Sequence, residues 1–220
     1  MRTRCYLFLA LLLPAAAWAQ NPWKNVYSEN AWKDRDSWQK PDTIIALLGL
    51  QNNSNVADIG SHEGYFTVKL AAEVPNGKVY AVDISSDKLS LLTKITVQRG
   101  FRNVEAVLGT PDNPSLPAGS IDAVLIVDTY HEIKGYEAFL ANLKRALKPK
   151  ATVVICEPIA GERMGLSREE QFRKHEIESH YVLDDLRRAG FTIVRHSEKF
   201  VDRTLEKGDI MWLVVARSGN

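Results

Sequence analysis

The amino-acid sequence predicts an α/β fold with a doubly wound, mostly parallel sheet of seven strands and an antiparallel C-terminal strand. From about residue 41, short β-branched apolar runs alternate with helical patterns, which is the order expected of βα units. Residues 151–158 are continuously apolar, as in a strand that helices cover on both faces. A polar stretch separates the last two strand patterns and indicates a hairpin-like ending.

The predicted elements follow one another between recognisable stop signals. The strand patterns cover residues 55–60, 78–84, 103–109, 121–128, 151–158, 191–200 and 209–217. The helical patterns cover residues 43–50, 65–74, 86–100, 136–148 and 177–189. Pro75 and Pro149 stop two of these helices, and Gly100 and Gly190 end two others.

Length and composition indicate one globular domain with at most an appendage. The chain has 220 residues, of which 45% are hydrophobic and 25% charged, so it lacks the composition of a disordered protein. Its formal net charge of +1 provides no long-range field to gather nucleic acid or anionic lipid. We therefore expect a small-molecule partner and no nucleic acid.

The first nineteen residues form the pattern of a secretory signal peptide. Arg2 and Arg4 precede an apolar run over residues 6–13, and small side chains at Ala17 and Ala19 predict cleavage after Ala19. The alternative is an uncleaved membrane anchor, which is disfavoured because the run is shorter than the ~20 residues that span a bilayer. We expect an exported protein, periplasmic or secreted, with no membrane contact after cleavage.

The chain therefore divides into a signal peptide (1–19), an N-terminal extension or lid (20–40) and one domain (41–220). Cys5 leaves with the signal peptide, and Cys156 remains as a single cysteine, so no internal disulfide is expected. The sequence does not indicate an oligomeric state.

Candidate binding residues follow the predicted strands, because ligands of open parallel sheets bind beyond the carboxyl ends of the strands. Gly60 and Gly64 lie between the first strand and a helix, where glycine allows close backbone approach and the helix N-terminus attracts an anion. Asp83 ends the second strand, and a carboxylate there can accept both hydroxyls of a ribose. The alternative is that Asp83 caps the following helix.

Several motifs in order resemble the class I S-adenosylmethionine (SAM) dependent methyltransferases. VADIGSHEGYFTVKLA resembles the first motif of that family, and KVYAVDIS resembles the acidic second motif. VLGTPDNPSLPAGSID and VDTYHEI resemble the third and fourth, and LKRALKPKATVVICEP resembles the fifth. The resemblance covers roughly residues 32–158 and is greatest to small-molecule methyltransferases of the ubiquinone-biosynthesis type. It implies a Rossmann-like fold, SAM as the cofactor and a small-molecule methyl acceptor.

The resemblance also assigns roles to single residues. The cofactor-binding residues that it implies are Asp58, Gly60 and Gly64 at the methionine part and turn, Asp83 at the ribose, Thr110 and Asp112 near the adenine, and Asp128 at the methionine amino group or the substrate edge. His62 and Ile84 complete the candidate cofactor-binding set. His62 stands where the family usually has its central glycine, so it either crowds the methionine tail or reaches the ligand itself.

Tyr130 and His131 would face the transferring methyl group if the resemblance holds. His131 is the predicted general base, since an imidazole titrates near neutrality and the end of the fourth strand points into the cleft. The alternative is that His131 only bonds the backbone or Asp128. Arg35 and Trp38 are expected to fold over the cofactor as part of a lid, although a tryptophan can equally be a packing anchor.

Two sets of residues could ligate a metal ion. His175 and His180 flank Glu176 and Glu178, but their spacing separates them by roughly 140° on an ideal helix and favours a solvated face. His62, Glu63, His131 and Glu132 lie at two strand ends and form the second set.

Three functional interpretations remain open. The leading one is SAM-dependent methyl transfer to an unidentified small molecule, with no metal ligand. The second is an exported, non-catalytic ligand- or partner-binding module on the same fold. The third is a metal-dependent hydrolase or lyase that uses His62 and His131.

Overall fold

The computed structural model describes residues 29–219. The predicted signal peptide, its cleavage site and the first residues of the extension lie outside the described residues. Within the described range, no helix combines the length and the apolar character needed to cross a bilayer.

Seven strands form one sheet, as the sequence predicts. They are β1 (Asn55–Ile59), β2 (Lys78–Asp83), β3 (Val104–Leu108), β4 (Ile121–Val127), β5 (Leu147–Ile159), β6 (Thr192–Arg203) and β7 (Asp209–Arg217). Their order in the sheet is β3-β2-β1-β4-β5-β7-β6. The first five run parallel, and β7 pairs antiparallel with both β5 and β6. The predicted fold class, including the antiparallel C-terminal strand, is confirmed.

Within residues 29–219, seven α-helices flank this sheet. They are α1 (Glu29–Gln39), α2 (Pro41–Ala46), α3 (Tyr65–Glu73), α4 (Ser86–Gln98), α5 (Tyr136–Ala146), α6 (Arg168–Phe172) and α7 (Ser179–Arg188). The expectation of a helix over 43–50 is corrected: α2 starts at Pro41, a favoured first position, and ends before Gly49, whose φ is +66°. The sequence patterns did not predict α1 or α6.

The inner strands β1, β2, β4, β5 and β7 bury both of their faces, which explains their apolar runs. The edge strands β3 and β6 are largely exposed. Along β4, Val124 and Ile126 pack in the core that includes α5 and α7. The alternate residues Leu125 and Val127 pack in the opposite core, which includes α2 and α3. A doubly covered sheet leaves its strand ends as the place where a ligand can approach.

The turn after β1 is fixed between its two neighbouring strands. The N–H groups of Gly60 and Ser61 donate to the carbonyl oxygen of Val82 in β2, at 2.9 and 3.0 Å. On the other side, a Cβ atom on Gly60 would lie 2.2 Å from Oγ1 of Thr129, which follows β4. Gly60 also has φ +71°, so glycine is required both by the backbone conformation and by the close approach.

We predict that Gly60→Ala destabilises the protein by about 2 kcal/mol more than Gly119→Ala does. Both glycines have positive φ (+71° and +58°) and share the left-handed penalty, but nothing lies within 4 Å of a Cβ at Gly119. The additional loss reflects overpacking against Thr129, which costs about 1–3 kcal/mol. Urea unfolding of both variants measures the difference. Equal losses would contradict the proposed close packing.

Candidate active site

A cleft of about 980 Å³ lies at the carboxyl ends of β1, β2 and β4. This volume falls within the range of small-molecule sites, which is about 300–1,000 Å³. Its walls are α1 and the segments that follow β1, β2, β3 and β4. The predicted site residues that line it are Asp58, Gly60, His62, Asp83, Ile84, Thr110, Asp128 and His131. A second hollow of about 600 Å³ lies between α5 and α7 and contains none of the predicted site residues.

Asp83 accepts a hydrogen bond from the turn after β1 and can still accept hydrogen bonds from a ligand. Its Oδ2 accepts the N–H of His62 and its Oδ1 accepts the N–H of Ser85, both at 2.9 Å. A carboxylate offers about four lone-pair sites, so each oxygen can accept one further bond. Ser85 is the N-cap of α4, which excludes the capping interpretation of Asp83. Beside it, Ile84 is 65% exposed and gives the cleft an apolar surface.

His62 adopts the backbone conformation of the glycine that it replaces. Its φ is +49°, in the left-handed region that costs a non-glycine residue roughly 1–2 kcal/mol. Its imidazole is half-buried and lines the cleft. Burial, with a contribution from Lys88, lowers the pKa of His62 to about 4, so the ring is neutral at physiological pH.

Asp58 and Gly64 position the loop between β1 and α3. Asp58 is buried, and its Oδ2 accepts the hydroxyl of Thr67 in α3 at 2.6 Å. Burial raises the pKa of Asp58 to about 6, against the effect of Thr67 and Arg35. Gly64 is the N-cap residue of α3 with φ +96°. These residues position the loop and the start of α3.

Thr110 and Asp112 differ in their relation to the cleft. Thr110 lines it, and its hydroxyl donates to Oδ1 of Asp112 at 2.6 Å. Asp112 is exposed and is absent from the lining, since its backbone lies beside Gly135 at the start of α5. Asp112 thus borders the cleft only through its contact with Thr110, and the assignment of both residues to the adenine stays a prediction.

Helix α1 carries Arg35 into the cleft. The Arg35 guanidinium lies 4.2 Å from the centre of the Tyr65 ring, and its Nε donates to Oε1 of Gln39 at 3.2 Å. Burial lowers the pKa of Arg35, and the charge of Asp128 is the largest effect that opposes this. The cleft therefore contains a cation that is partly removed from water.

Trp38 packs on the chain's own cations. Arg203 and Lys207 lie 5.2 and 5.3 Å from the centre of its ring. Although Trp38 lines the cleft, these contacts support the packing interpretation over a role facing a sulfonium. Nearby, the buried Gln39 donates to the sulfur of Met211 at 3.3 Å, and Lys40 donates to the carbonyl of Phe200 at 2.8 Å. The C-terminal end of α1 is thus tied to the β6–β7 hairpin.

Glu157, near the end of β5, organises the turn after β4 and was missed by the sequence analysis. It is 0% exposed. Oε1 accepts the N–H groups of Thr129 and Tyr130 at 2.6 and 2.9 Å, and Oε2 accepts the N–H of His131 at 3.3 Å. A glutamate at the end of an otherwise apolar strand was the signal that could have identified it.

His131 reaches the cleft, with its ring held by the same carboxylate. Its Nδ1 lies 2.7 Å from Oε2 of Glu157, so in the neutral ring the hydrogen sits on Nδ1 and the lone pair on Nε2. Burial opposes the charged ring, but Glu157 outweighs it and the pKa of His131 is raised. The alternative of a bond to Asp128 is not what the structure shows. Asp128 itself is exposed in the cleft, with φ +55°.

Tyr130 does not face the cleft, which corrects its assignment beside the transferring methyl. Its side chain is 0% exposed, and its hydroxyl donates to Oδ2 of Asp185 at 3.0 Å. Burial raises its pKa, which keeps the phenol protonated. Tyr130 therefore packs in the core, and His131 points to the ligand side.

Neither metal set considered from the sequence is assembled. Glu63 pairs with Lys88 at 3.2 Å, and His180 lies 3.4 Å from Glu178. Within residues 29–219, the one group of three or more histidine, cysteine, aspartate or glutamate side chains whose ligand atoms all lie within 4.8 Å of one another is His131, Glu132 and His175.

Comparisons with known proteins identify relatives of this chain. Demethylmenaquinone methyltransferase from Anoxybacillus flavithermus is 28% identical over 128 residues, which cover 58% of this chain and 53% of the relative. The chain spans about half the length of the curated relatives it matches.

Two solved structures share the fold. A SAM-dependent methyltransferase from Aquifex aeolicus matches with a TM-score of 0.71 and 24% identity, over 87% of this chain and 99% of that one. Geranyl diphosphate C-methyltransferase from Streptomyces coelicolor was solved with Mg²⁺, geranyl diphosphate and S-adenosylhomocysteine. It matches with a TM-score of 0.69 and 12% identity, over 84% of this chain and 80% of that one. Both neighbours share the fold of this chain.

A family model described as a methyltransferase domain matches residues 50–213. This range contains the sheet from β1 into β7 and the turns that line the cleft, and it is well over half of the chain. The chain therefore belongs to this methyltransferase-domain family.

Proposed function

We propose that the protein is a SAM-dependent methyltransferase that transfers the sulfonium methyl to a small molecule. The observation that carries the proposal is the cleft at the strand ends, where Asp83 and Ile84 face Arg35 and His131 in a chain of the methyltransferase-domain family. The alternatives, a non-catalytic module or a metal-dependent hydrolase or lyase, gain no support from the comparisons.

The residues of the cleft suit the separate parts of SAM. Asp83 keeps acceptor capacity for the ribose hydroxyls, and exposed Ile84 with Thr110 offers a surface for the adenine. Arg35 is suited to the methionine carboxylate, since a guanidinium binds carboxylates in a bidentate manner. Ser61 Oγ and Glu63 Oε2 are buried without a hydrogen-bond partner, so the loop holds polar atoms that a ligand could satisfy.

The chain would act mainly by binding and orienting the two reactants. SAM supplies an activated methyl group, and holding an acceptor in line with it can lower the barrier by several kcal/mol, up to ~7–11. The turns after β1, β2 and β4 would fix the cofactor, and α1 would cover it. His131 lies on the acceptor side, and its role as the general base stays a prediction.

A small acceptor fits the space that is present. The cleft of about 980 Å³ is at the upper end of the range for small-molecule sites and leaves room beside a cofactor. Its lining mixes apolar Ile84, Phe66 and Phe139 with charged side chains of both signs, such as Asp83 and Arg35. Such a lining favours an organic acceptor over a charged polymer.

We also propose that the protein is exported. The support is the pattern of residues 1–19, in which two arginines precede an apolar run and small side chains at Ala17 and Ala19. An exported methyltransferase would need a supply of SAM outside the cytosol, so this proposal is tested separately from the activity.

We predict that two variants distinguish the ribose end of the cofactor site from its carboxylate end. Asp83→Ala should weaken binding of both S-adenosylhomocysteine and methylthioadenosine at least about tenfold, because both ligands carry the ribose. Arg35→Met should weaken S-adenosylhomocysteine by a similar factor and leave methylthioadenosine unchanged, because the latter lacks the carboxylate. Calorimetric titration measures all four affinities, and the unmodified protein should bind S-adenosylhomocysteine at about micromolar strength.

Asp87→Ala is the matched control, since Asp87 is exposed in the first turn of α4 and does not line the cleft. Unchanged affinity in Asp83→Ala would refute the ribose assignment. If a folded, unmodified protein bound neither SAM nor S-adenosylhomocysteine, the proposed function would be wrong.

We predict that the protein recovered from the exported fraction of a Gram-negative host begins at Gln20. Mass spectrometry of its N-terminus checks this, and Ala19→Leu should leave the signal attached, because a large side chain is excluded from the cleavage site. An intact N-terminus in the cytosolic fraction would contradict export, and an intact chain in the membrane fraction would support the anchor instead.

A further inference from the structure

Three metal-ligating side chains meet at the mouth of the cleft. His131 and Glu132 belong to the 3₁₀ turn Tyr130–Glu132, and His175 lies between α6 and α7. Nε2 of His131 is 3.5 Å from Oε1 of Glu132, and Nδ1 of His175 is 2.5 Å from the same oxygen. The sequence analysis did not associate His175 with these residues, because the contact joins distant segments of the chain.

The ring of His131 is oriented as in a metal-binding histidine. Glu157 is fully buried and accepts a hydrogen bond from Nδ1–H of the neutral ring, so the lone pair of Nε2 points towards Glu132 and the cleft. Histidine ligands of metals almost always donate their other ring N–H to a carboxylate, a backbone carbonyl or water. Glu157 therefore has the position of the outer carboxylate of such a site.

The spacing suits a tetrahedral ion. Two ligand atoms that each lie about 2.05 Å from a tetrahedral zinc ion are about 3.4 Å apart. The separation of 3.5 Å between His131 and Glu132 agrees with this value. The distance between Nδ1 of His175 and Oε1 of Glu132 is shorter. It can lengthen to this value, because the side chains of His175 and Glu132 are 72% and 55% exposed.

The segment around His175 is held against the end of β5. Glu176 accepts the N–H of Ala160 at 2.9 Å, and Ile177 donates to the carbonyl of Pro158 at 3.2 Å. His175 itself has φ +57°, and this left-handed backbone conformation sets the direction of its side chain. The third ligand is thus presented by a fixed loop and does not depend on a mobile one.

We propose that His131, Glu132 and His175 bind a divalent cation of the zinc class. Two imidazoles and one carboxylate favour Zn²⁺, Co²⁺ or Ni²⁺ over Mg²⁺ and Ca²⁺, which prefer oxygen ligands alone. Three protein ligands leave at least one coordination position open, as in sites where a metal binds a substrate or water.

The open position borders the cleft, because His131 and Glu132 both line it. Resting on the proposed function, this places the ion on the acceptor side, where it would favour acceptors that carry an oxygen donor. His131 would then contact the acceptor through the ion, and its Nε2 would serve as a ligand and no longer as a free base.

Metal titration of the purified protein, without a polyhistidine tag and after treatment with a chelator, tests this site. Co²⁺ should bind with one equivalent and give visible d–d absorption, and Zn²⁺ should displace it. His175→Ala and Glu132→Gln should each lower the affinity at least about tenfold. His180→Ala is the matched control and should bind as the unmodified protein does, since His180 is an exposed histidine with a neighbouring glutamate outside the cluster.

The site would be refuted by the absence of stoichiometric Co²⁺ binding, or by equal affinity in His175→Ala and the unmodified protein. Titration of the same samples with S-adenosylhomocysteine separates this result from the proposed function. Binding of S-adenosylhomocysteine without Co²⁺ would overturn the metal site alone. Binding of Co²⁺ without S-adenosylhomocysteine would support the site and overturn the methyltransferase proposal.

Discussion

The buried carboxylate of Glu157 is the interaction on which the acceptor side of the site depends. A charge that is 0% exposed costs several kcal/mol unless hydrogen bonds satisfy it. Here the carboxylate accepts three successive backbone N–H groups after β4 and contacts the His131 ring. The register of the sheet makes this possible, since Val127 pairs with Cys156 and places Glu157 beside the end of β4. The turn is therefore shaped by one side chain from the next strand.

The fixed turn after β4 also constrains the turns after β1 and β2. With the turn after β4 fixed, Thr129 lies so close to Gly60 that no Cβ fits between them. Gly60 is in turn bonded to β2 through the carbonyl of Val82, and Asp83 holds the N–H of His62. The left-handed conformation at His62 is thus imposed by contacts on both sides. Three strand ends are coupled, and a site built in this way is preorganised before any ligand arrives.

The sequence predicts what depends on local pattern and misses what depends on distant contacts. The seven strands were predicted because each contains β-branched or other apolar residues between turn residues. Helix α1 was missed because its sequence, ENAWKDRDSWQ, has few apolar residues to form a stripe. Tyr130 was misplaced because neighbouring residues of a turn point in different directions, and only the packing against Asp185 decides which one is buried. Glu157 and His175 act through partners 26 and 43 residues away, respectively.

The covering helix has consequences for how a ligand enters. Gln39 and Lys40 tie the C-terminal end of α1 to the hairpin, and Asp36 accepts the Tyr65 hydroxyl at 2.6 Å. Next to these anchors, Arg35 is held in a partly desolvated position where burial works against its charge. A carboxylate that entered the cleft would relieve this cost, so ligand binding and closure of α1 are expected to stabilise each other. The helix that limits access to the cleft thus contains the group that favours an anionic ligand within it.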